Sequence, residues 1–145
     1  DDFFAHQEEI DLCWRAFNLG YKAKYTQKSI VYHVGGATLN EGNPRKTFLN
    51  FRNSLLMLTK NLPKNQLFPI LFIRLCLDGL AGIQFILKGK FKHCWAIIKA
   101  HFTFYHLVFQ FYKKRNTTQK SNYYKINSIV YRYFVKNGKV FADLF

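Results

Sequence analysis

Residues 8–11 read Glu-Glu-Ile-Asp, three carboxylates within four positions, with Trp14 and Arg15 just beyond. Carboxylates crowded at the start of a helix can complement its macrodipole, at roughly 0.3–1 kcal/mol each. They can also serve as a general base, because a carboxylate held beside apolar groups is moved toward the range in which it can take a proton from a hydroxyl. Phe3, Phe4, Ala5 and His6 lead into them and are expected to hold the junction against a core. Three further groups could act with such a base. His33 closes an apolar run and enters Gly35-Gly36, while Arg45 and Arg52, seven residues apart, could neutralise phosphate oxygens. Base, imidazole and guanidiniums together suit chemistry on a hydroxyl with a diphosphate leaving group. At this level, cap and active site both remain open for Glu8, Glu9 and Asp11.

The elements that must carry these residues follow from periodicity. Ile10, Cys13, Trp14 and Phe17 fall at i, i+3, i+4 and i+7, which predicts a helix with one buried face, ended by Gly20. Asp11 and Arg15 are spaced to pair. Residues 21–25 and 29–33 are rich in Tyr, Val and Ile and predict two short strands. The loop from Val34 to Pro44 contains a Gly-Gly but lacks the spacing and the Lys of a phosphate-binding loop. A helix over residues 46–61 is expected to present Phe48, Phe51, Leu55 and Leu58 on one face, with Leu62 following and Pro63 as its stop.

Residues 66–87 are apolar over a length that could cross a bilayer, but Arg74, Asp78 and Gln84 interrupt them. Arg74 and Asp78 are spaced to pair. Lys88-Gly89-Lys90 predicts a basic turn. The following helix, about residues 91–114, carries one stripe of Trp95, Ile98, Phe102, Tyr105, Phe109 and Tyr112 and another of Lys92, Lys99, His106 and Lys113. An aromatic face beside a basic face is the pattern of a helix lying in a membrane interface, and a core-packed helix with solvated lysines is the alternative. Residues 116–122 read as a flexible polar link, and the tail beyond it as an apolar patch without a clear period.

The charge is divided. Residues 1–41 hold six acids and four bases, and the remainder two acids and 18 bases, for a net charge of +14. The basic part calls for an anionic partner. Nucleic acid is disfavoured, because the aromatics share a helical stripe from which the lysines are excluded. Cys13, Cys76 and Cys94 lie far apart in apolar surroundings and read as buried free thiols, without zinc spacing. The first residue is Asp1, with no initiator Met or signal segment, which suggests a chain that starts inside a longer polypeptide.

In order, these residues resemble a known pattern. Asp2-Phe3-Phe4-Ala5-His6-Gln7-Glu8-Glu9-Ile10-Asp11-Leu12-Cys13-Trp14-Arg15 is similar to the acidic motif of the family-2 inverting glycosyltransferases of the GT-A fold, as found in bacterial members that modify surface polysaccharides. Gly20-Tyr21 with Tyr25, Ser29-Ile30-Val31-Tyr32-His33, Pro44-Arg45-Lys46 and Phe51-Arg52-Asn53 follow in the family's order. The resemblance is specific over residues 1–63 and looser beyond. It implies an α/β GT-A fold for the complete family member, with this chain mainly helical apart from the two short strands. Residues 1–63 would close the catalytic domain, residues 64–115 would be basic membrane-associating helices, and residues 116–145 a link and tail.

The resemblance also implies roles. Glu9 stands at the catalytic base, where the family usually carries Asp, and Glu8 adjoins it. Asp11 would orient the motif or the acceptor. His33 would lie near the donor diphosphate, as a possible metal ligand. Arg45 and Arg52 would face the leaving group or acceptor, with Trp14 in the same substrate-binding set. Mg²⁺ or Mn²⁺ would be the cofactor, held mainly by an Asp-x-Asp motif that these residues lack, in a nucleotide-binding half preceding Asp1. The partners implied are a nucleotide-sugar donor, a glycan or lipid-linked acceptor and an anionic membrane surface. The location implied is peripheral, on the cytoplasmic face of a bacterial inner membrane. The competing expectation is a membrane-surface adaptor without catalysis.

Overall fold

A computed structural model describes residues 3–24, 26–32, 42–116, 118–124, 126, 128–137 and 140. Its regular elements are all helices: α1 (Glu8–Asn18), α2 (Pro44–Asn61), α3 (Lys64–Leu87), α4 (Phe91–Lys113) and the short α5 (Ile129–Phe134).

The ends of these helices follow local chemistry. Asn43 caps α2 by accepting from the Arg45 N–H at 2.9 Å, and Pro44 occupies the first turn, where its missing N–H costs nothing. Pro63 follows the extended Leu62 and forces the chain to restart as α3. Gly89, at φ +68°, reverses the chain into α4. Ser128 caps α5.

Helix α2 is the centre of the molecule and packs most extensively on α4. Thr47 near the start of α2 meets His93 near the start of α4, and residues at the far end of α2 meet Arg115, just past the end of α4. The two helices therefore run parallel, and both place their N-termini at one end. α3 runs back antiparallel between them in sequence. His101 of α4 reaches Asp78 of α3, and His93 stacks on Phe85 at 5.0 Å. Leu55, Leu56, Met57, Phe104, Phe111 and Phe3 form the core, with Trp14, Leu71, Leu75, Leu107 and Val108 packed against it. α2 is buried on more than the one face its apolar residues suggest, since Asn53, Ser54, Thr59 and Asn61 are buried too.

Several sequence expectations are corrected. The two short strands do not form: residues 21–24 and 26–32 carry no strand, and no strand occurs among the described residues. Tyr21, Ile30, Val31 and Tyr32 are all exposed. β-propensity needs a neighbouring strand to complete its hydrogen-bond ladder, and the described residues supply none. The expected apolar face of the first helix is only partly buried, through Trp14 and Phe17. Ile10 is 52% exposed and Cys13 is exposed, while Asp11 and Asn18 are the buried residues of α1. Helix α1 docks through polar contacts because its inward side meets Lys60 and Asn61 of α2. Cys13 and Cys76 are exposed and Cys94 half-buried, all free, so the buried-thiol reading fails.

The link after α4 is not a loose tether. Arg115 donates to the Thr59 and Leu62 carbonyls, Gln119 donates to the Lys60 carbonyl, and Asn18 Oδ1 accepts from the Lys120 N–H. Carbonyls at the end of α2 have no intrahelical partner, and the guanidinium satisfies them. Tyr123 then stacks on Trp14 at 4.6 Å and donates to Gln66.

The outer helices are inverted relative to a soluble core. Of α3, only Asp78 and Gly82 are buried. Asp78 is 2% exposed and holds Arg74 at 2.8 Å and His101 at 3.2 Å, as the i, i+4 spacing of Arg74 and Asp78 foreshadowed. Phe68, Phe72, Ile73, Leu80 and Ile83 face outward. On α4 the six-residue stripe from Trp95 to Tyr112 is exposed throughout, reaching 71% at Phe102 and 76% at Phe109. The buried side of α4 is a different set, Ala96, Ile97, Ala100, Phe104 and Phe111.

Candidate functional site

The loop before α1 is where the sequence places chemistry, and its backbone is unusual. His6 and Gln7 both adopt left-handed backbone conformations, at φ 70° and 74°. For non-glycine residues that conformation costs roughly 1–2 kcal/mol each. The strain is imposed from α2. Asn53 is fully buried, and its Nδ2 donates to the carbonyls of Ala5 (2.8 Å) and His6 (2.9 Å). Its Oδ1 accepts from Arg52 Nε at 2.8 Å. Phe3 anchors the near end of the loop in the core, 5.8 Å from Phe111. Phe4 points outward beneath the Arg45 guanidinium, 5.1 Å from its ring centroid. Arg45 thus reaches this loop directly, while Arg52 holds the Asn53 side chain that clamps it. Burial lowers the pKa of Arg52 from its ordinary value, yet a guanidinium stays cationic at neutral pH.

The three acids separate. Asp11 is 3% exposed, and its carboxylate receives Arg15 Nε (2.8 Å), Lys60 Nζ (2.9 Å) and Asn61 Nδ2 (2.8 Å). All of its capacity goes into fixing α1 on α2. It is a positioning residue by geometry. Glu8 and Glu9 are exposed and carry no ion pair or hydrogen bond from their side chains among the described residues. The cap of α1 is Gln7, with no side-chain capping bond, and Glu8 and Glu9 stand in the first turn, where their charge complements the helix dipole. They are not partly buried, contrary to the expectation for a base poised by desolvation. They project into solvent from the first turn of a helix whose entry is rigidly held.

Trp14 is half-buried against Tyr123, and its ring borders an open apolar groove with Ile10, Cys13, Phe17 and Tyr21. It is packed as part of the α1 seat. His33 lies outside the described residues. No group of three or more His, Cys, Asp or Glu side chains suited to a metal ion occurs among the described residues. The ligands expected for Mg²⁺ or Mn²⁺ belong mainly to a half preceding Asp1, with His33 as a possible addition, so the described residues do not bear on that expectation.

Sequence reasoning missed Asn53, Lys60 and Asn61. The available signal was polar residues inside an otherwise apolar helix register, which must find buried partners. Comparison of the chain with protein-family models, with curated proteins and with solved structures finds no match.

Proposed function

We propose that this chain is the acceptor-side part of an inverting glycosyltransferase, with Glu9 as the general base and Glu8 beside it. The supporting observation is the strained loop clamped by Asn53, which delivers two exposed carboxylates, unpaired among the described residues, at a fixed point. Strain of this kind persists where surrounding structure over-determines it, and it clusters at functional sites. In the reaction, the Glu9 carboxylate takes the proton of an acceptor hydroxyl. The hydroxyl oxygen forms a bond to the anomeric carbon as the bond to the nucleoside diphosphate breaks on the opposite side, inverting the configuration. Arg45 and Arg52 supply positive charge near the loop that carries the base. The nucleotide-binding half lies outside these 145 residues on this reading, and a DNA sequence upstream of Asp1 encoding an Asp-x-Asp segment is expected.

The same reading places the molecule on the surface of an anionic membrane. Support comes from the outward apolar residues of α3 beside the exposed aromatic stripe of α4. A crossing is disfavoured, because α3 packs against α4 and would carry Lys92, Lys99, His106 and Lys113 toward the hydrocarbon. Lying in the interface, the aromatics enter the headgroup boundary and the lysines stay with the phosphates.

The test is Glu9→Gln in the polypeptide that includes the donor half. Loss of a general base lowers kcat by about 10²–10⁴-fold with KM little changed. Unchanged turnover would remove Glu9 from the role.

A further inference from the structure

The parallel course of α2 and α4 brings both N-termini together, and a groove of about 760 Å³ opens between them. Its walls carry three cations, Arg45, Lys92 and Lys99, and three aromatic rings, Phe48, Phe91 and Trp95. No acid lines it. The sole acid within α2, α3 and α4 is Asp78, already paired with Arg74 and His101. Lys92 and Lys99 are exposed and have no ion pair among the described residues. The Lys88-Gly89-Lys90 turn adds two more cations at this end of the bundle. Two helix N-termini contribute the positive ends of their dipoles here as well. At its mouth the groove continues into the exposed stripe of Trp95, Ile98 and Phe102.

Such a site has two requirements at once. Clustered cations with no counter-acid among the described residues are satisfied by a compact anion, and charge-assisted bonds to phosphate are the strong ones. An apolar floor running onto an exposed aromatic stripe is satisfied by a hydrocarbon chain. We propose that this groove binds the phosphate of a phosphate-bearing lipid, with the chain laid along Trp95, Ile98 and Phe102. The inference deepens the transferase reading by naming the anchor of its lipid-linked acceptor. Arg45 is the connection, since its guanidinium lines the groove and covers Phe4 on the loop that leads to Glu8 and Glu9.

The experiment follows Trp95 fluorescence in a Trp14→Phe background, titrating short-chain phosphatidic acid below its micelle concentration. A saturable shift is expected. Diacylglycerol of the same chain length should bind at least about tenfold more weakly, a difference of about 1.4 kcal/mol. Inorganic phosphate should not displace the lipid. Lys92→Gln and Lys99→Gln should each weaken binding several-fold, while Lys113→Gln, at the other end of α4, should leave it unchanged. All three lysines are exposed, so these variants keep the fold. Displacement by inorganic phosphate would make this a free-anion site and overturn the lipid assignment. Equal losses from all three lysines would reduce it to general charge attraction, and no loss from Lys92→Gln or Lys99→Gln would overturn it outright. Binding needs neither donor nor turnover, so a chain without transferase chemistry passes or fails this test independently.

Discussion

At the residue scale, the same side-chain chemistry is put to opposite uses within four positions. Asp11 is buried among Arg15, Lys60 and Asn61, whereas Glu8 and Glu9 are exposed and their side chains make no ion pair or hydrogen bond among the described residues. Helical geometry explains part of the division: Glu9, two residues before Asp11, lies nearly opposite it, whereas Glu8, three before, shares its side but stands exposed in the first turn. The consequence is a separation of stability from activity. Asp11→Ala leaves Lys60, which is largely buried, without its counter-ion. Breaking a buried pair in this way costs about 3–5 kcal/mol. Urea denaturation should therefore show a large fall in midpoint for Asp11→Ala and almost none for Glu9→Gln, an exposed substitution expected within about 0.5 kcal/mol. A stable Asp11→Ala variant would show that the polar seat of α1 is not what holds it.

At the element scale, the loop of residues 3–7 is shaped by α2 rather than by its own preferences. A positive φ is uncommon for any residue but glycine, and two in succession need an external restraint. Asn53 is that restraint. Asn53→Ala strands two carbonyls, and each unsatisfied buried group costs about 1–3 kcal/mol. The loop can relax toward ordinary backbone instead, so the expected measurement is a modest loss of stability and, on the proposed function, a disproportionate loss of kcat in the polypeptide that includes the donor half. Hydrogen exchange at residues 5–8 should rise in the same variant. If exchange there is unchanged, the clamp is not the source of the loop's conformation.

This scale also shows what could be read from the chain beforehand. The helical periodicities of residues 46–61 and 91–114, the Pro63 stop, the Lys88–Lys90 turn and the Arg74–Asp78 pairing are local or one-turn properties, and all are present in the fold. The strands at 21–25 and 29–33 were not determined locally, because strand formation depends on a partner elsewhere. The burial of α1 was misjudged for the same kind of reason. Its apolar period is real, but the surface it meets is polar, so Asp11 and Asn18 turn inward and Ile10 outward.

At the scale of the whole molecule, charge and shape act together. The chain carries a net charge of +14, and its acids are concentrated before residue 42. The helical body that remains is basic and apolar on its outside. Each Lys or Arg near an anionic bilayer contributes about 1 kcal/mol, falling off within a Debye length. Co-sedimentation with vesicles containing phosphatidylglycerol is thus expected at low ionic strength, with a marked decrease in high salt. Phe102→Ser with Phe109→Ser should abolish retention at moderate salt while the thermal midpoint stays unchanged, since both rings are exposed. A large drop in that midpoint would mean the stripe is core after all, and no binding at low salt would refute the interfacial arrangement.

What the sequence by itself determined is local: where helices begin and end, which faces are aromatic or basic, and the order of acids, arginines and glycines that resembles a glycosyl-transfer motif. Those properties arise from neighbours within a turn or two. Tertiary structure alone decided which of the three clustered acids is committed and which two are exposed without a side-chain partner among the described residues. It alone placed Asn53 under a strained loop and brought the N-termini of α2 and α4 to one basic, aromatic groove. Such properties belong to pairs of residues some fifty positions apart, and their energies exist only once the chain has brought those partners together.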